Sequence, residues 1–242
     1  MSVKPILFNS EMVRAVLEGR KTVTRRAVKP RYKEDEGGFQ INRDVKTGEW
    51  WVEKSDWDEG SFDPPRYVNP PYCPGDILYV RETFRVDYLS NIVGSGRVQY
   101  KADGSFGDIH FQPARYDMMR RAQLKPGWRP NENMPKEAAR IFLRVTDVRV
   151  QRLQEITMQD IRREGSVPSC AMCSFNEAES AHGIKCRKAI ERSADCALEN
   201  HFPNCGFRGT WDSTIKSADR DCYGWDANPW VWVIEFERCE KP

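Results

Sequence analysis

The sequence is short of aliphatic residues: Leu, Ile, Val and Phe supply 49 of its 242 positions. That fraction lies at the edge of the composition typical of disordered chains. Disorder also calls for a large net charge, and 38 Lys+Arg against 36 Asp+Glu leave only +2, so a folded chain is expected. No apolar run approaches the roughly 18 residues that a membrane span requires, and Met1–Pro5 opens no signal peptide. A membrane or secreted protein is therefore disfavoured, and a cytoplasmic location is expected. Histidine is scarce too: His110, His182 and His201 form no Cys–His or Ser–His–Asp grouping. In place of the missing aliphatics stand 8 Trp, 8 Tyr and 8 Cys. Aromatic side chains bury more area per residue, which allows a loop-rich protein with a small core.

The near-zero net charge conceals an uneven distribution. From Arg20 to Lys33 the chain carries Arg20, Lys21, Arg25, Arg26, Lys29, Arg31 and Lys33 with no acid. Between Glu34 and Pro74 ten acids face only Arg43, Lys46, Lys54 and Arg66. A second basic stretch holds Arg115, Arg120, Arg121, Lys125 and Arg129. Cations interleaved with Tyr32, Tyr116 and Trp128 suit a polyanion with stackable bases. A solvated face balanced by the acidic segment accounts for the same pattern.

Residues Pro5–Phe8 read as a short strand, followed by a helix capped at Asn9 or Ser10. Its apolar Met12, Val13, Val16 and Leu17 recur at helical spacing, with Gly19 as the stop. Lys21–Val28 alternates as a strand ended by Pro30. Residues 34–74 hold Gly-Gly, Pro-Pro and Asn-Pro-Pro and predict a long excursion with one hairpin through Glu49–Val52. Asp76–Phe84 predicts one strong strand, and Val98–Lys101 a second. Ala139–Val150 predicts a strand pair with a turn or bulge near Asp147. Thr157 opens a helix as N-cap, with Asp160 at the capping-box position and an end near Gly165. Trp211 is expected to pack a short helix on the core, and Val231–Phe236 closes the chain as a strand. This order predicts an α+β protein: a small β-barrel flanked by short helices. It forms a single domain over residues 1–242, with additions at about 31–74 (acidic, Trp-rich) and 166–209 (Cys-rich).

Five of the eight cysteines fall in that second addition: Cys170, Cys173, Cys186, Cys196 and Cys205. A Cys-x2-Cys pair lets two thiolates reach one ion from a tight turn, and two further Cys complete a tetrahedral site. The segment is poor in apolar residues and needs a staple, and without a secretory signal metal is favoured over disulfide. Structural zinc on four of the five, unligated thiols, and a redox or iron–sulfur role are the alternatives. Cys73, Cys222 and Cys239 stand apart and are expected to be buried thiols.

The segment from Gly19 to Arg26 joins a helix stop to a strand and carries Lys21 and Thr24. A threonine hydroxyl becomes a nucleophile when a neighbour accepts its proton. A lysine can do so if burial or another cation lowers its pKa, and a carboxylate such as Glu164 can orient it or protonate a leaving group. Residues 21 and 24 face opposite sides of a regular strand, so Lys21 must lie in the preceding turn. A basic strand on the surface is the alternative.

Gly19-x-Lys21-x-x-Thr24-x-Arg26 resembles the GxKxxxxR motif of the ASCH domain, a relative of the PUA RNA-binding barrels. Gly75–Thr83, Leu153–Thr157 leading to Glu164-Gly165, and Trp230–Phe236 are similar to the same family and follow its order. Met134–Val150 and Tyr223–Trp230 resemble a larger phage and prophage branch. Small bacterial members are amidohydrolases that remove the acetyl group from N4-acetylcytidine, with a Lys, a Thr and a Glu as proposed triad. The resemblance implies Lys21 as base, Thr24 as nucleophile and Glu164 as the group assisting the leaving amine. Arg26 would hold the substrate, and Arg81, Glu82 and Trp225 are further candidates for binding it. The chain is more than twice the size of those small enzymes, and its Cys-rich addition follows Glu164 directly, where it would wall a pocket or dock a protein partner. A modified nucleoside or RNA is the implied partner. The other reading is a PUA-like RNA or modified-base binding module, or a ribonuclease, without amidohydrolase chemistry.

Overall fold

The computed structural model describes residues 2–29, 39–44, 48–54, 66–90, 94–125, 127–165 and 206–242. The protein is mixed α+β, with eleven described strands in one five-stranded and two three-stranded sheets and a few short helices. Among the described residues no sheet closes into the expected barrel. No described helix is long and apolar enough to cross a membrane. The chain divides into two compact units. The first comprises Met1–Thr22, Tyr72–Asp147 and Glu235–Pro242; the second comprises Val23–Pro71 and Val148–Ile234.

In the first unit β1 (Val3–Leu7) runs parallel to β6 (Ile77–Arg81), pairing Val3 with Ile77 and Leu7 with Arg81. Strand β10 (Phe142–Arg152) pairs antiparallel with the other edge of β6. Ile77, Leu78 and Val80 are all buried, as expected of a strand covered on both faces. The carboxylate of Asp76 ties β1 to the start of β6. It accepts from Lys4 Nζ at 2.8 Å, Ser2 Oγ at 2.8 Å and the Cys73 backbone N–H at 3.0 Å. Burial alone would raise the Asp76 pKa; these donors outweigh it and hold the carboxyl well below its ordinary range.

The single strand expected over Asp76–Phe84 is two. Strand β6 ends at Arg81, and β7 (Phe84–Leu89) starts a separate antiparallel sheet with β8 (Ser95–Tyr100) and β9 (Phe106–His110). The break falls at Glu82, whose backbone N–H donates to Met134 Sδ at 3.1 Å. Its buried carboxylate takes a two-pronged bond from Arg140, at 2.7 and 2.9 Å. A carboxylate so enclosed needs that fork, and the chain turns to meet it. Helix α2 (Tyr116–Leu124) covers the second sheet, sealing Phe84, Val98, Tyr100, Ile109, Met119 and Met134 into one apolar cluster.

Helix α1 (Ser10–Leu17) is capped by Asn9, whose side chain accepts from the Met12 N–H at 2.8 Å. It stops at Gly19 as the sequence predicts. The Gly19 and Arg20 N–H groups bond Val16 O and Ala15 O, with Gly19 at φ +75°, the Schellman arrangement.

Strand β2 (Val23–Ala27) belongs to the second unit, and in the five-stranded sheet β11 (Trp230–Cys239) stands between β2 and β10. The acidic excursion builds a small antiparallel sheet, β3 (Phe39–Arg43), β4 (Trp50–Lys54) and β5 (Arg66–Tyr67), so the predicted hairpin gains a third strand. Trp50 meets Trp232 edge-on, with ring centroids 5.5 Å apart. The predicted pair over Ala139–Val150 is instead the one strand β10, without a turn at Asp147. Its burial changes phase there: Val145 and Val148 are both buried while Thr146 and Asp147 are exposed. Helix α3 (Met158–Arg163) carries the Thr157 cap, and helix α4 (Gly206–Thr214) buries Trp211 with Phe207, Trp225, Leu153 and Val231. Cys73 and Cys222 are exposed and Cys239 is half-buried, contrary to the expected burial, because each sits in a turn, a short helix or a strand end.

Candidate functional site

The residues of the Gly19–Arg26 motif are set by two local rules. Lys21 comes directly after the glycine turn, and its backbone N–H bonds Ala15 O at 3.0 Å. It therefore precedes the strand, which begins at Val23, as the face argument requires. In the first unit its ammonium nitrogen lies 5.4 Å from the centroid of the Phe8 ring. Strand alternation then divides β2: Val23, Arg25 and Ala27 share one face, Thr24 and Arg26 the other. Lys21, Thr24 and Glu164 are all buried, with 2%, 1% and 6% of their surface exposed. For a lysine and a glutamate this is exceptional burial, tolerated only with partners.

Within the second unit the structure brings Glu164 together with a residue the sequence reading passed over. Arg25 is enclosed, and its guanidinium bonds Glu164 Oε1 at 3.0 Å and Asp160 Oδ2 at 3.1 Å. Both carboxylates come from α3. Asp160 stands in its first turn, with its backbone N–H bonded to the Thr157 cap, and Glu164 is its C-cap. The Asp160 side chain thus serves Arg25 rather than completing a capping box. A carboxylate at a helix C-terminus opposes the backbone dipole, and the Arg25 cation offsets that. The helix stops at Gly165, φ +75°, as expected. Arg25 Nε is buried with no hydrogen-bond partner among the described residues.

Arg26 is half-buried on β2. Arg81, at the end of β6 in the first unit, holds a buried Nε that has no partner among the described residues. Glu82 is committed to Arg140, which also bonds Asp103 at 2.8 Å and stacks 4.0 Å from the centroid of the Tyr100 ring. Burial pushes the Glu82 carboxyl up, against the pull of Arg140. Trp225 is buried in the apolar cluster, edge-on to Phe207 with centroids 6.3 Å apart. Cys170, Cys173, Cys186, Cys196 and Cys205 lie outside the described residues. Among the described residues no group of three or more His, Cys, Asp or Glu is placed to hold a metal.

Arg25 had a legible signal: it shares the strand face of Val23 and Ala27, where a cation must find an acid. Arg140 had none, since Glu82 lies 58 residues away. The chain matches no family model, and comparison with curated proteins and with solved structures finds no match.

Proposed function

We propose that the protein is an amidohydrolase that removes an acyl group from a modified nucleoside or nucleic-acid base of the N4-acetylcytidine kind, on an ASCH-type, PUA-like scaffold. The observation that carries this reading is the burial of Lys21, Thr24 and Glu164, the three groups such chemistry requires. In the proposed reaction the Thr24 hydroxyl adds to the acyl carbonyl as its proton passes to the Lys21 amine. The C–N bond then breaks, and the base leaves as the free amine after taking a proton with help from Glu164. The acyl group remains as an ester on Thr24 Oγ. Water hydrolyses that ester, releasing the carboxylic acid and restoring the hydroxyl. Arg25 positions Glu164 through their 3.0 Å bond, and Arg26 is proposed to hold the substrate.

Four of Cys170, Cys173, Cys186, Cys196 and Cys205 are proposed to hold a structural zinc. A four-thiolate set suits that ion and leaves no open position for chemistry. Metal analysis of reduced protein is expected to give about one zinc per chain, and none would reject the site. The cytoplasm of a bacterial or phage-infected cell is the compartment proposed, and a protein partner is proposed to dock on the Cys-rich addition.

The decisive assay is release of cytidine from N4-acetylcytidine. Lys21→Met and Thr24→Val keep side-chain bulk while removing the chemistry, and each is expected to abolish turnover with the melting profile retained. Turnover unchanged in both variants would sink the triad. A second reading, an RNA-binding module, is favoured by exposed aromatics paired with arginines. Arg85 lies 5.1 Å from the centroid of the Trp128 ring, and Arg97 lies 5.7 Å from that of Tyr88. RNA binding without turnover, weakening steeply with salt, would favour that reading.

A further inference from the structure

The first unit contains a cavity of about 400 Å³ between α2, the end of β6 and the segment following Gly127. Its lining carries five cations, Arg81, Arg115, Arg121, Lys125 and Arg129, against one carboxylate, Glu132. Of the five, Arg115 makes an ion pair among the described residues, with Glu137 at 4.0 Å. Two of the guanidinium groups, those of Arg81 and Arg129, each hold a buried Nε with no hydrogen-bond partner among the described residues. Arg129 is also fixed in place. Its backbone N–H and carbonyl bridge to Phe84, and its Nη2 donates to Ala122 O at 2.9 Å and to Arg121 O and Lys125 O at 3.4 and 3.3 Å. The negative end of α2 is therefore already covered by a cation and does not repel an anion. Like charges gathered in a concave site call for an anion with several acceptor oxygens.

Apart from Asn133, the remaining lining is apolar. Phe84, Met119 and Met134 stand behind it in the closed core cluster, and Met118 is the exposed apolar side chain of the lining. Thioethers pack well against flat rings. A volume of about 400 Å³ is ligand-sized and far larger than a bare oxyanion needs. We propose that this cavity binds a small phosphorylated molecule with a flat apolar body, of the size of a nucleoside monophosphate. The phosphate sits among these cations, whose side-chain N–H groups meet its oxygens. The ring lies against Met118.

The test uses the full chain, with binding read by calorimetry and by the rise in melting temperature that a native-state ligand produces. AMP and CMP are expected to bind the wild-type chain, and adenosine and cytidine at least tenfold more weakly. The double variant Arg121→Gln, Lys125→Gln alters two side chains that make no ion pair among the described residues, so the fold is retained. It is expected to weaken nucleotide binding about ten- to a hundredfold, the usual effect of losing charge-assisted bonds. Equal binding to wild type and double variant, or no nucleotide binding at all, overturns the proposal. A 5′-phosphorylated and an unphosphorylated RNA oligonucleotide separate the sources of phosphate. Preference for the phosphorylated end supports the cavity; RNA binding indifferent to that phosphate, with no binding of AMP or CMP, replaces it with a backbone-tracking surface. Arg121 and Lys125 take no part in the amidohydrolase reading, so failure of either activity leaves the other measurable.

Discussion

Replacing Arg25 by methionine is expected to be among the most damaging single changes in the second unit. The guanidinium is fully enclosed and gives two charge-assisted bonds, at 3.0 Å to Glu164 and 3.1 Å to Asp160. Methionine keeps most of the volume but takes the Arg25 cation and its bond from each acid. Asp160 retains two distant cations, Arg163 at 3.9 Å and Arg149 at 4.0 Å, each worth at most about 1 kcal/mol. Glu164 is the more deeply buried of the two, and removing one partner of a buried pair costs about 3–5 kcal/mol. Glu164→Gln is milder, because the amide oxygen still accepts from Arg25 and Arg25 keeps Asp160. About 1–2 kcal/mol is expected there, the value of a charge-assisted bond reduced to an ordinary one. The double variant should then cost less than the two single changes together, since the two side chains share the bond that each change removes. Urea unfolding with constant m-value reads all three as midpoint shifts. A midpoint for Arg25→Met within about 1 kcal/mol of wild type, or strict additivity in the double variant, would refute the claim that Arg25 is held by buried charge pairing.

Two pH-dependent effects follow from the first unit. Asp76 is held below its ordinary carboxylate range, so its stabilisation is present above that range and is lost as pH falls through the depressed value. Asp76→Asn should therefore lower the melting temperature near neutrality, with the gap to wild type closing in acid. Parallel curves would show that Asp76 is not the group responsible. Tyr100 is pushed up to about 12 by burial, with nearby Glu82 adding to the rise and Arg140 opposing it. Its hydroxyl donates to Ala138 O at 2.9 Å. The stability it contributes is complete below the ordinary tyrosine range and is lost as pH rises through about 12. Phenolate absorbance of the native chain should contain one late-titrating tyrosine that Tyr100→Phe removes; a titration unchanged by that substitution would count against the assignment.

What the sequence made legible was local. The Asn9 cap, the Gly19 stop, the Thr157 cap and the apolar Val231–Phe236 strand each depend on residues within a few positions, and each stands where expected. A face-parity argument put Lys21 ahead of the strand, in the preceding turn; it does precede Val23, but it comes just after that turn. The misplaced features share a different cause. Asp76–Phe84 was expected to be continuous because its β-branched and aromatic residues favour a strand, but burial of Glu82 against Arg140 decides where it breaks. Arg25 was passed over because basic residues in a row resemble a solvated face, whereas its partners lie 135 and 139 positions later. A buried charge is uninformative in one dimension, since the penalty for enclosing it is relieved only by a group the fold brings from elsewhere. The inference can nevertheless be run in reverse. A cation that alternates onto an apolar strand face, as Arg25 does between Val23 and Ala27, must have an acid opposite. The acids opposite Arg25 are Asp160 in the first turn of α3 and Glu164 at its C-cap.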